Sequence, residues 1–236
     1  MMKASPAARS WIAAGVRHEL LTRVLPALRH DMVGPVSVMR MGVLMLKRQV
    51  ESPTIDPQAC NERVALIDSQ INQLIDGVRL LRDWELATTD EGITRPALVQ
   101  LCVTLLRPAF SLQGVQIEVE PELEEPPREG ETSWPRAAAL RYLLLCGLNY
   151  LHDASPDHEP TVIHIESEGQ DGLLLRLRAA KQGALNGNGM PEAAVVHRAP
   201  RRLAIDAVAL QSLADDLGYQ VEVTGENTVH LRLAEG

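Results

Sequence analysis

A helical histidine with an acid beside it and a proline five residues on can do phosphoryl chemistry as well as proton chemistry. Arg29-His30-Asp31-Met32-Val33-Gly34-Pro35 offers that pattern. A neutral imidazole keeps one unprotonated ring nitrogen near pH 7 and can act as a nucleophile there. Asp31 can hydrogen-bond one ring nitrogen, fixing the tautomer and raising the basicity of the other. Pro35 has no N–H to give to the Asp31 carbonyl, so the backbone beside the histidine is loosened or kinked. A mid-helix Gly34-Pro35 pair costs of order 3–4 kcal/mol by propensity. Either a use beside the imidazole or a kink needed for packing accounts for tolerating it.

Other reactive groups are less informative. His152-Asp153 and Asp157-His158 flank a Ser-Pro turn and have the donor types of a metal site, although loop clusters of this kind are usually solvated. Cys60, Cys102 and Cys146 are far apart and match no metal or redox spacing, so they read as free thiols of a reducing cytoplasm. No Ser–His–Asp or Cys–His arrangement follows from spacing.

The elements that must position His30 are helical. Leu21, Leu25, Leu28, Met32, Val36, Met39, Val43, Leu46 and Val50 recur at spacings of three and four, which predicts a helix from about Trp11 to Val50 after a frayed start. Glu51–Pro57 breaks it with two prolines. Cys60, Val64, Ile67, Ile71, Leu74, Val78 and Leu81 then form a heptad-like stripe on a second helix. At 100° per residue His30 projects roughly 170° from the first helix's seam, toward solvent. Val33, Ser37, Met41, Leu44 and Met45 share its side, an apolar surface that suits docking of a partner or packing within the protein. Val24, Ile75, Leu80 and Trp84 add apolar area that one antiparallel hairpin leaves uncovered. Pairing with a second copy into a four-helix bundle is the simplest remedy, and a homodimer is predicted.

The period changes after a linker at Leu86–Pro96. Helices are predicted over 97–110, 134–152 and 203–217, the last ended by Gly218. Strands are predicted over 115–119, 161–167, 173–178, 219–223 and 229–233, with Asp171-Gly172 as the turn between the second and third. This predicts an α+β protein: a helical-hairpin domain over 1–90 and a two-layer, largely antiparallel α/β sandwich over 91–236. With 236 residues and 45% apolar content the chain can bury a core, built from aliphatic side chains because aromatics are only 3%. The net charge of -8 is uneven: residues 1–90 carry 11 basic and 10 acidic side chains, residues 91–236 carry 12 and 21. An acidic second half opposes a nucleic-acid surface. No signal peptide is evident, and the most apolar run, Leu140–Leu151, is too short to span a bilayer, so no membrane partner is expected.

His30-Asp31-x-x-x-Pro35 inside a helical hairpin resembles the phosphoacceptor box of two-component sensor histidine kinases. It resembles still more the bacterial histidine phosphotransferases that carry a histidine-kinase-like body with a degenerate Bergerat-type ATP-binding domain. The element order of 97–236 is similar to that ATP-binding domain. Departures fall on the nucleotide site. Laying the family's magnesium motif on Leu140–Ser155 puts Tyr150 at the metal-chelating asparagine, with Asn149 one residue and about 100° away. Asn186-Gly187-Asn188-Gly189-Met190-Pro191 resembles a nucleotide-site glycine motif, but Leu185 replaces its aspartate. Arg198–Arg202 lacks the glycines of the second such segment.

The resemblance implies a phosphotransferase without autokinase activity in a two-component phosphorelay. His30 is its phosphoacceptor, Asp31 the orienting group or base, and Arg29, Gly34 and Pro35 supports. Val33, Ser37, Met41, Leu44 and Met45 would dock a response-regulator receiver. The chain would bind no cofactor or metal of its own: Mg2+ would come with the receiver, and ATP is not expected. A divergent ATP-binding kinase and a non-enzymatic adaptor that binds a receiver remain as alternatives.

Overall fold

The computed structural model describes residues 6–85, 92–111, 113–126, 130–155, 161–180 and 203–235; within these elements the side chains of residues 6, 27, 28, 30, 31, 80–85, 108 and 235 are not described. The protein is α+β. In chain order the elements are α1 Pro6–Val50, α2 Pro57–Glu85, β1 Ile93–Thr94, α3 Arg95–Ser111, β2 Val115–Val119, α4 Pro121–Glu124, β3 Ser133–Trp134, α5 Ala137–Asp153, β4 Thr161–Glu168, β5 Gly172–Ala179, α6 Ala207–Leu217, β6 Tyr219–Thr224 and β7 Thr228–Glu235. They form two compact units: Val24–Thr89, and Met1–Arg23 with Asp90–Gly236.

The first unit is a helical hairpin. Asp56 caps α2, its carboxylate accepting from the N–H groups of Gln58 and Ala59 at 3.0 and 3.3 Å, and Pro57 takes the first helical position. The helices run antiparallel: Gly42 faces Ile67, and Gly77 faces Met32. A Cβ on Gly42 would stand 3.0 Å from Ile67 Cγ1 and one on Gly77 3.3 Å from Met32 Cγ, so these glycines allow the close approach. Only alternate seam residues are covered within the hairpin. Met32, Met39, Leu46, Ile67 and Leu74 are half-buried, whereas Val36, Val43 and Val50 on α1 and Val64, Ile71 and Val78 on α2 stay exposed. Each exposed set repeats every seven residues, which leaves one β-branched stripe per helix largely open among the described residues.

The second unit sets a five-stranded sheet, ordered β2-β4-β5-β7-β6, against helices. β2 and β4 are parallel and the remaining pairs antiparallel. Period-two alternation builds the buried face from Val115, Ile117, Ile163, Ile165, Leu173, Leu175, Leu177, Val229, Leu231 and Leu233. α5 crosses this face with Leu143–Leu151 buried, and Gly147 lets it approach closely, since a Cβ there would lie 2.9 Å from Leu175 Cδ1. The other face is polar and laced by Glu118–His164, Glu166–Arg176 and Glu168–His230 pairs. Aliphatic side chains carry the core, as the scarcity of aromatics predicts.

The first limb of α1 belongs to this unit. It buries Ala13, Val16 and Leu20, and Arg17 pairs with Asp216 at the end of α6. By helical projection this stripe is rotated roughly 110° from Met32, Met39 and Leu46. α1 therefore buries two different faces along its length, where a single seam is predicted from sequence. The helix is continuous through Pro26 and Pro35, each of which removes one helical hydrogen bond.

Several local expectations change. Residues 6–10 are helical rather than frayed. Part of the expected linker, Ile93–Thr94, pairs with Ser133–Trp134, so α5 starts at Ala137. α6 starts at Ala207 instead of Leu203, because Asp206 is the N-cap and accepts from Ala209 N at 2.8 Å. The β4–β5 turn is made at Gly169, with φ +61°, rather than at Gly172. Gly172 is needed for space: a Cβ there would meet the Glu168 carbonyl at 2.6 Å. Among the described residues no helix is long and apolar enough to cross a membrane.

Candidate functional site

His30 lies in the helical hairpin, near the middle of α1. Its side chain and that of Asp31 are outside the described residues. The surroundings are defined. Arg29 is exposed, Gly34 is half-buried with open space where a Cβ would stand, and Pro35 is buried. Val33 and Met41 are each 55% exposed, and Ser37, Leu44 and Met45 are also exposed. Ser37 spends its hydroxyl on the Val33 carbonyl at 3.2 Å, which leaves a smoother surface. Ser37, Val38, Met41 and Met45 on α1 and Arg63 and Leu66 on α2 line a shallow cleft of about 360 Å³. An apolar floor with one guanidinium at its edge suits a protein surface carrying apolar and acidic side chains.

In the α/β unit the notable chemistry gathers at the C-terminal end of α5. Arg23, almost fully buried, spends all five of its N–H donors. Nε donates to Glu19 Oε1 at 3.0 Å, and Nη1 to Asn149 Oδ1 at 3.0 Å and Asp153 Oδ1 at 2.8 Å. Nη2 donates to Asp153 Oδ2 at 2.8 Å and the Leu203 carbonyl at 2.7 Å. Asp153 also accepts the Ile205 N–H at 2.7 Å, and His152 Nδ1 lies 3.2 Å from its Oδ1. The His152 ring packs on Phe110 with centroids 4.5 Å apart. Asn149 completes its bonding by donating Nδ2 to the Leu145 carbonyl at 2.8 Å.

Electrostatics follow from this arrangement. Burial by itself would raise the Asp153 pKa; hydrogen bonds from His152, Arg23 and the Ile205 N–H, with the Arg23 charge, outweigh it and hold the carboxyl at about 2. Burial would lower the Arg23 pKa, and Asp153 and Glu19 together raise it. Desolvation pushes the Cys102 thiol up to about 12 and Cys146 higher still, so both stay neutral.

Tyr150, the residue laid on the magnesium position, is buried, and the carboxamide of Asn149 is committed at both ends. Asp153 belongs to the arginine network rather than to a metal cluster. Asp157, His158, Leu185, Asn186–Pro191 and Arg198–Arg202 lie outside the described residues. Among the described residues no group of three or more His, Cys, Asp and Glu side chains is placed to hold a metal. Sequence reasoning missed Arg23 and Glu19. Their i,i+4 spacing is that of an ordinary surface pair, but they fall beside Val16 and Leu20 on a buried stripe, and charge inside such a stripe was the available signal.

No protein-family model matches the chain, and no curated protein does. Among solved structures, the cytoplasmic segment of histidine kinase QseC is 12% identical, covering 71% of this chain and 95% of that one, with a TM-score of 0.41. A structure described as a bacterial phosphotransferase is 18% identical over 98% of each chain, with a TM-score of 0.35. A histidine kinase from Burkholderia phymatum STM815 is 14% identical over 88% of this chain and 97% of that one, with a TM-score of 0.37.

Proposed function

We propose that the chain is a homodimeric histidine phosphotransferase of a two-component phosphorelay, with His30 as the phosphoacceptor. The observation that carries the reading is the His30-Asp31-x-x-x-Pro35 box on the long helix of a hairpin, with an exposed apolar cleft beginning two turns further along that helix. An unprotonated His30 nitrogen attacks the phosphorus of a receiver's aspartyl phosphate in line. The P–N bond forms as the P–O bond breaks, and the aspartate leaves as a carboxylate. The other ring nitrogen gives up its proton to Asp31 or to water. The reverse sequence hands the phosphoryl group to a second receiver aspartate. Catalysis is positioning plus charge stabilisation, and the receiver brings the Mg2+.

The exposed stripes Val36-Val43-Val50 and Val64-Ile71-Val78 support pairing with a second copy, since each repeats by seven and stays exposed among the described residues. Val33, Ser37, Met41, Leu44 and Met45 would receive the receiver, with Arg63 at the cleft's edge offering a charge to its acidic side chains. The commitment of Asn149 to Arg23 and Leu145 supports a role without nucleotide. The test is incubation with a phosphorylated receiver. Label should pass to the chain in an acid-labile, alkali-stable form, and His30→Gln should abolish it; a His30→Gln variant that relays like the parent ends the proposal.

A further inference from the structure

We infer that Arg23 is a clamp that commits the first limb of α1 to the α/β unit, making it a positioning residue for the helix that runs on to His30. Its five acceptors come from three separate stretches: Glu19 on α1 itself, Asn149 and Asp153 on α5, and the Leu203 carbonyl in the segment leading into α6. Asp153 fastens that last segment a second time through the Ile205 N–H. The limb's other contacts are the apolar burial of Ala13, Val16 and Leu20 and two more exposed ion pairs to the end of α6, Arg17–Asp216 and Arg9–Asp215. Apolar burial fixes neither rotation nor register, and single, solvent-screened pairs hold them weakly. A fully bonded, planar guanidinium fixes both, because each N–H direction is set by the same rigid fork.

The position along the chain matters. Arg23 is the last residue of the first segment of the α/β unit, and Val24 is the first of the hairpin unit. Pro26 follows at once and takes the helical bond away from the Thr22 carbonyl. The clamp is therefore the last polar fixed point among the described residues before a weakened turn, with buried Val24 beside it, and His30 lies two turns, roughly 10 Å, further along the helix. Lysine cannot replace it: a point cation with three donors cannot meet five acceptors in one plane.

Hydrogen exchange on the full-length chain tests this. In Arg23→Ala, peptides covering 12–23 and 203–210 should both exchange more than about tenfold faster, as expected when a buried ion pair loses one partner. Millimolar guanidinium ion should slow both peptides again by filling the vacated seat, while equal sodium chloride should not. Arg23→Lys should show the same paired loss without rescue, and it carries the test if the alanine variant does not fold. Loosening of only one of the two peptides, or equal rescue by sodium chloride, overturns the clamp. The step onward to His30 rests on the phosphotransferase reading: guanidinium should also restore phosphoryl transfer in Arg23→Ala. Exchange restored without transfer overturns the positioning role. A parent chain that accepts no phosphoryl group overturns the phosphotransferase reading instead and leaves the exchange result intact.

Discussion

The guanidinium of Arg23 and the carboxylate of Asp153 lie edge to edge, joined by two parallel bonds of 2.8 Å between Nη1 and Oδ1 and between Nη2 and Oδ2. The pairing makes stability depend on acid in a defined window. The folded-state pKa of Asp153, about 2, lies below its ordinary value of 3.8. Its contribution is therefore complete above the unfolded pKa and is lost as pH falls through the folded one. Between pH 4 and pH 2 the carboxyl should account for roughly 2 kcal/mol of lost unfolding free energy. Urea titrations across that range check it: Asp153→Asn should be less stable at pH 7 but show a shallower acid slope. Parallel slopes for parent and variant would show that this carboxyl is not responsible.

The two exposed stripes of the hairpin give the dimer a sharp test. Val43 is 53% exposed within one chain, so Val43→Asp has little to disrupt in the monomer's own packing. In a four-helix bundle the same change places a carboxylate in the seam from each copy. Losing the burial of two valines removes about 3–6 kcal/mol, enough to raise the dimer Kd more than about a hundredfold. Sedimentation at micromolar concentration should show a dimeric parent and a monomeric, still helical variant. An unchanged dimer would place the partner surface elsewhere.

The face proposed for a receiver separates from that seam. Met41 is exposed on the side of α1 that carries the cleft, and Met41→Glu sets an acid against the acidic side chains expected of a receiver. Phosphoryl transfer should slow by about tenfold or more, with circular dichroism and the sedimentation coefficient unchanged. Dissociation of the dimer by this substitution would merge the two surfaces into one.

Much of the α/β unit was readable because strand period and burial agree. Thr161, Leu173 and Val229 fall within a residue of the starts of β4, β5 and β7, which are rich in Val, Ile and Leu. β1 and β3 were missed because two-residue strands carry no period. Leu203 and Ile205 look like a helical start, yet the capping bond of Asp206 fixes where α6 begins. The histidine box was legible because its residues are contiguous. The Arg23 seat was not, since its partners stand 126, 130 and 180 residues away and only the fold brings them together. The turn of α1's buried face at mid-helix hid it further: Arg23 is polar against one seam and central to the other.

Alanine at two helical glycines should stabilise one site and not the other. Gly15 on α1 is exposed and nothing lies within 4 Å of an added Cβ, so Gly15→Ala should stabilise by about 0.8–1 kcal/mol through helix propensity. Gly147 on α5 gains the same propensity but pushes a methyl to 2.9 Å from Leu175 Cδ1. Overpacking of about 1–3 kcal/mol should cancel or exceed the gain. Thermal midpoints of the two variants check the contrast, and a Gly147→Ala chain stabilised as much as Gly15→Ala would mean that α5 can lift from the sheet without cost.

Use of Asn149 as a nucleotide-metal ligand would break into the Arg23 seat. For Asn149 to offer its carbonyl to a metal, Oδ1 must leave Arg23 Nη1, and the side chain, only 1% exposed, must reach a ligand. Leaving a buried guanidinium donor unpaired in this way costs about 1–3 kcal/mol. Tyr150, next along α5, offers a phenol in place of a carboxamide. Calorimetric titration with ATP and Mg2+ should therefore give no heat of binding at micromolar to submillimolar nucleotide, and Asn149→Ala should lower the thermal midpoint without changing that result. Micromolar affinity for MgATP, lost in Asn149→Ala, would instead make the chain a divergent kinase, with His30 phosphorylated from its own nucleotide.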